Sequence, residues 1–220
     1  MDAGDPSMPL VRPRLRGVLH VAGFGVACVV GGLLVATADG GRRAVAASVF
    51  ASSVAAMLAA SSLYHRVSWG PSARVWMRRV DHAGIFLLIA GTYTAVGLLS
   101  LHGPLQQILL ALAWAGAAAA TAIRFCWTSA PRWLSALIGV ALGWLAVVAL
   151  PQLLTTAGPT AVALLGLGGI AYTLGAVVYA RRKPDPIPAV FGYHEVFHAL
   201  TLVALACQYV AIAFFVVRVD

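Results

Sequence analysis

His194 and His198 stand four residues apart in the stretch Gly192-Tyr193-His194-Glu195-Val196-Phe197-His198. On a helix this spacing stacks two imidazoles on one face, roughly 40° apart and about 6 Å along the axis. It is the natural spacing for two nitrogens on one Zn2+, the common ion best suited to imidazole ligands with water. A third imidazole from His65, in Ser61-Ser62-Leu63-Tyr64-His65, leaves the fourth position for water, as in a catalytic zinc site. Asp81 is then available to accept a hydrogen bond from that water or from a ligand imidazole. Ser61, one turn from His65 on the same face, is within reach of a bound oxygen. Water on such a zinc ionises near neutral pH instead of near ~15.7, which makes a hydroxide nucleophile available. Each residue also has a plainer reading: the pair as a chance i, i+4 match, His65 as an interfacial histidine, Asp81 as a helix cap, Ser61 as a small packing residue.

The letters from His194 to His198 also spell the zinc-protease signature H-E-x-x-H, with Glu195 as general base. A soluble zincin takes a further protein ligand downstream, yet no His follows His198 and no acid comes before Asp220. An intramembrane metalloprotease carries the motif in an early span and its Asp later; here Asp81 comes first and is followed by His-Ala-Gly. The match therefore reads as a lookalike, with Glu195 at the rim as an acid complementing the helix dipole.

These groups need elements to position them, and the composition says which. The 220 residues are 61% hydrophobic and only 10% charged, whereas a soluble domain is about a quarter charged. Apolar stretches of about 20 residues, enough to cross a ~30 Å hydrocarbon layer, recur along the whole chain. The expected fold is an all-α polytopic membrane protein with seven transmembrane helices, at 17–38, 44–65, 81–101, 104–124, 132–153, 159–180 and 193–216, preceded by a basic tail at 1–16. An alternative for the first span, a cleavable signal after Arg12, Arg14 and Arg16, is disfavoured because its apolar core of about 22 residues exceeds the usual 7–15. The net charge of +8 does not point to nucleic acid, because the basic residues punctuate apolar runs instead of forming a stripe. Cys28, Cys126 and Cys207 form no C-x-x-C pair and read as buried small hydrophobes. Gly139 and Gly143 form a G-x-x-x-G that suits close helix packing.

Alternation of seven spans collects all the basic residues except Arg42, Arg43 and Arg218 on one side. By the positive-inside rule that side is cytoplasmic, with the N-terminus inside and the C-terminus outside. Trp69, Trp76, Trp127 and Trp133 fall near the same ends, as an interfacial belt would. The same alternation brings His65, Asp81, His194 and His198 to one membrane depth. Ionisable groups inside a membrane are costly, so their coincidence points to a site. His20, near the cytoplasmic start of the first span, is within approach of the site but is expected at the interface, His82 about 100° away from Asp81 on its helix, and His102 in the opposite loop; none is assigned to the site.

Three motifs in order, Ser61-x-x-x-His65, the run Arg79-Val80-Asp81-His82-Ala83-Gly84 continuing to Gly91-Thr92-Tyr93-Thr94, and Gly192-Tyr193-His194-Glu195-Val196-Phe197-His198, resemble the haemolysin III family. That family belongs with the adiponectin and progestin receptors and, more distantly, with the alkaline ceramidases. The resemblance implies a seven-helix fold with its N-terminus inside, zinc on His65, His194 and His198, and Ser61 and Asp81 around the water. Receptor-type relatives have Gln where this chain has Glu195, which implies that a base there is not obligatory. The chain lacks the acidic, Asn-containing first-span motif of other bacterial members. The expectation is a multi-pass protein of the bacterial inner (plasma) membrane, holding Zn2+ and hydrolysing a lipid amide or ester. The alternatives are a non-enzymatic receptor or sensor with structural zinc, and a membrane-perturbing, haemolytic protein, although the spans lack the polar stripe of a pore. The expected partners are the lipid bilayer and a lipid-like ligand or substrate, with no nucleic acid.

Overall fold

The structure, a computed structural model, describes residues 13–127 and 130–217, with Arg132 described in its backbone alone. Arg12, Arg218, Asp220 and most of the 1–16 tail lie outside the described residues. The helices are α1 (Val18–Ala36), α2 (Gly41–Arg66), α3 (Pro71–Ser100), α4 (Gly103–Cys126), α5 (Arg132–Trp144), α6 (Leu150–Thr156), α7 (Gly158–Arg181) and α8 (Tyr193–Ala211). A 3-10 turn at Leu145–Ala149 joins α5 to α6, and a π turn at Ile212–Val216 extends α8. Among the described residues, seven spans are long and apolar enough to cross a membrane, α5 and α6 together making the fifth. The protein is an all-α polytopic membrane protein.

Prolines start several of these helices, where a missing N–H costs nothing: Pro71 opens α3, and Pro104 and Pro159 lie in the first turns of α4 and α7. Pro71 corrects one sequence reading. The third span was expected to begin at Asp81, leaving open a capping role for that residue. In fact α3 begins ten residues earlier, because Pro71 to Val80 carries no breaker after its proline. Asp81 is therefore an interior helical residue and caps nothing.

With lipid on the outside, helices gain little by hiding apolar surface from one another, so small residues that allow close approach set the pairing. The most extensive pairs are α2 with α3 and α7 with α8. Between α2 and α3, a Cβ on Gly84 would stand 3.0 Å from the Met57 Cα, and one on Gly91 would stand 2.6 Å from the Ser53 Cβ. Away from the histidines the core joins Phe50, Ala95, Leu109, Leu153 and Ile212 from five helices and turns.

The outward faces are apolar, as lipid requires: Val26, Val29 and Leu33 of α1 are each about 60% exposed. Cys28 and Cys126 also lie on exposed faces instead of being buried; in a membrane protein an apolar side chain need not turn inward to avoid water. Trp76, Trp127 and Trp133 are exposed near helix ends. The G-x-x-x-G of α5 does not pack a helix either. Among the described residues no atom of another element lies within 4 Å of a Cβ built on Gly139 or Gly143, and both glycines line a cavity.

Candidate metal centre

The last turn of α2 and the first turns of α8 end at the same place. His65 is the penultimate residue of α2, and His194 and His198 occupy the start of α8. His194 Nε2 lies 3.1 Å from His65 Nε2. One nitrogen from each of His65, His194 and His198 falls within 4.8 Å of the others. Metal–nitrogen bonds of 2.0–2.1 Å in a tetrahedron put ligand nitrogens about 3.3 Å apart. The His65–His194 pair already has that spacing, and a nitrogen of His198 lies within 4.8 Å of both. His198 Nδ1 is buried without a hydrogen-bond partner. A buried imidazole nitrogen left unsatisfied is costly, and a cation among these three rings lowers that cost. The donor set therefore fits a zinc ion.

Asp81 and Ser61 stand beside the three rings. Asp81 Oδ2 is 3.8 Å from His65 Nε2, too long for a direct hydrogen bond and suited to contact through a small bound group. The Ser61 hydroxyl, 1% exposed, bonds to the Asp81 carboxylate. It also lies 2.8 Å from His20 Nδ1. All five predicted site residues thus come together at one end of the bundle.

His20 is the residue that sequence reasoning missed. It was expected at the interface, yet it is 2% exposed and its ring stacks on His198, with centroids 3.7 Å apart and planes 13° from parallel. A signal was present in Gly17, His20 and Gly23, which share one helical face. His82 also borders the same cavity, since adjacent helical positions both reach a wide space. Its Nδ1 lies 2.9 Å from an Arg124 guanidinium nitrogen and its Nε2 3.4 Å from the Tyr179 hydroxyl. His102 is remote, at the opposite end before α4, where its N–H donates to Gln152.

Glu195 is fully buried instead of lying at the rim. Its Oε2 accepts the Gly192 N–H at 2.9 Å, and its Oε1 pairs with Arg16 Nε at 2.6 Å. Glycine has no side chain to return the bond, so half of a capping box is made. Both carboxylate oxygens are thereby engaged in fastening the chain before α1 to the start of α8.

From the histidines a cavity of about 380 Å3 runs between α3, α5, α7 and α8, within the range of small-molecule sites. His20, Ser61, Asp81, His194 and His198 line one end, and Leu101, Leu109, Leu153 and Val162 line the other. Polar groups at one end and an apolar tunnel behind them suit a molecule with a polar head and a hydrocarbon tail.

Fold and site together define a seven-helix membrane protein with a histidine cluster at one end of an apolar cavity. The haemolysin-III-related family model matches residues 8–209, nearly the whole chain. The chain belongs to the haemolysin III family. It is 29% identical over 175 residues to the hemolysin-3 homolog of Bacillus subtilis (strain 168), covering 80% of this chain and 79% of that protein. It is 31% identical over 172 residues to hemolysin-3 of Bacillus cereus, covering 78% and 75%.

Proposed function

We propose that this protein is a zinc-dependent hydrolase of a lipid amide or ester, set in the plasma membrane with its N-terminus inside. The observation that carries the reading is the meeting of three imidazole nitrogens within 4.8 Å beside a largely apolar cavity that His194 and His198 help to line. Zinc held by His65, His194 and His198 supplies Lewis acidity toward a carbonyl and activates water at neutral pH. Asp81 orients the attacking water and takes its proton on the carboxylate. Ser61 steadies the developing oxyanion by turning its single O–H toward it, an O–H that is directed at the Asp81 carboxylate before substrate arrives. The apolar walls hold the acyl chain and keep bulk water out. Water oxygen joins the carbonyl carbon, the C–N or C–O bond breaks, and the proton held by Asp81 goes to the departing amine or alcohol. The products are a fatty acid and that amine or alcohol.

The test is release of fatty acid, read by mass spectrometry, from a panel of ceramides, amides and esters presented to purified zinc-loaded protein. Release that disappears in His194→Ala while the fold is kept supports the proposal, and no release from any lipid of the panel overturns it. A second reading, a structural metal in a ligand-sensing protein, draws on one observation. The backbones of α2 and α8 make little direct contact, so a metal on His65, His194 and His198 would tie the two helices together. That reading expects His194→Ala to unfold or loosen the bundle.

A further inference from the structure

The first span has no part in the three histidine-bearing motifs, and among its 19 residues only His20, Gly31 and Leu34 are buried. A helix turned mostly to lipid that nevertheless buries one imidazole needs a reason for doing so. Two glycines flank it on the same face, three residues before and three after. Gly17 has φ +77°, and a Cβ there would stand 2.6 Å from the His65 Cβ. A Cβ on Gly23 would stand 2.7 Å from Leu202 Cδ2 on α8. Bare backbone at 17 and 23 lets α1 lie flush against both helices that carry the histidines, and His20 enters the gap between them.

Once there, the ring is held on two sides. Its Nδ1 meets the Ser61 hydroxyl at 2.8 Å, and its face covers that of His198 at 3.7 Å. The contact with Ser61 anchors the ring. His20 stands outside the trio of converging nitrogens. We propose that His20, anchored by Ser61 and stacked on His198, is a positioning residue of the metal centre that fixes the ring plane in which His198 presents its nitrogen. The inference rests on the reading of His65, His194 and His198 as metal ligands.

Co2+ is the probe, because its visible absorption reports both binding and ligand geometry. Chelator-stripped protein in detergent is titrated with Co2+ as wild type, His20→Leu and His20→Phe. Leucine fills the space without offering a ring face, whereas phenylalanine keeps the face and loses the nitrogens. The expected result is Co2+ affinity about 10-fold or more weaker in His20→Leu, in the range for removal of a group that orients a ligand. Shifted visible bands should accompany it, with the Phe variant recovering most of the affinity and both variants eluting as folded protein. Wild-type affinity and bands in His20→Leu would overturn the positioning role, as would equal losses in the two variants. If wild type itself takes up no Co2+, the metal reading fails first and this inference with it.

Discussion

His65 Nε2 and His194 Nε2 lie 3.1 Å apart, although 129 positions separate the two residues in the chain. A pair of buried imidazole nitrogens so close together must share a proton or a cation, since two facing lone pairs repel. His198 Nδ1 is buried without a hydrogen-bond partner among the described residues, and the proposed zinc would relieve the facing pair.

Purified protein is accordingly expected to carry about one zinc per chain by elemental analysis. His65→Ala and His194→Ala should reduce that content to background. Restoring zinc to stripped wild type should raise its melting temperature, by about 2.7 kcal/mol of stability at a hundredfold excess over Kd. The His194→Ala protein should show no such response.

Asp81→Asn keeps the size and the acceptor oxygen of the side chain but removes its capacity to take a proton. It should retain zinc while lipid hydrolysis falls by roughly 100-fold or more. Loss of zinc in this variant would make Asp81 a holder of the ligands instead of a proton acceptor.

The convergence of Ser61, His65, Asp81, His194 and His198 was legible before any coordinates, because short links force successive spans to alternate and so set the depth of each residue. Rotation about each helix axis was less accessible. His82 was set aside as lying 100° from Asp81, yet it borders the same cavity, since a space between four helices is wider than one helical face. His20 was missed because hydropathy treats α1 as an ordinary lipid-facing span, and the close approach at Gly17 and Gly23 is a tertiary fact. The break in the fifth span at Leu145–Ala149 does have a signature, Pro151 at the start of α6, whose missing N–H and ring disrupt the turn before it; length and hydropathy alone read through it.

Glu195 shows how a motif can match by letters while its residue serves the backbone. Glu195→Gln retains an acceptor for the Gly192 N–H but loses the pairing with Arg16. Hydrolysis and zinc content should stay within a few-fold of wild type, while thermal stability drops. The exposed ion pair Asp39–Arg43, at 3.9 Å, is the control, and Asp39→Asn should leave stability unchanged to within about 1 kcal/mol. A collapse of hydrolysis in a stable, zinc-loaded Glu195→Gln protein would return the residue to a catalytic role.

Close approach of α2 and α3 carries its own expectation. A methyl group at Gly91 collides with the Ser53 side chain and crowds the Val49 carbonyl oxygen at 3.3 Å, so α2 and α3 must move apart to admit it. Gly91→Ala should cost about 1–3 kcal/mol, read as a lower melting temperature in detergent. Gly25→Ala, where nothing lies within 4 Å, should melt like wild type.

The cavity itself separates a tail-binding tunnel from an idle gap. Gly139 and Gly143 line it from α5, and a side chain on either has open space ahead of it. Gly143→Leu should therefore fold and keep zinc while filling volume that a long hydrocarbon chain would occupy. Hydrolysis of long-chain lipids is expected to fall at least 10-fold, with short-chain analogues affected much less, because the polar end at Ser61, Asp81 and His194 is untouched. If long and short chains suffer alike, the tunnel does not hold the tail, and the acyl chain reaches the histidines by another route between the helices.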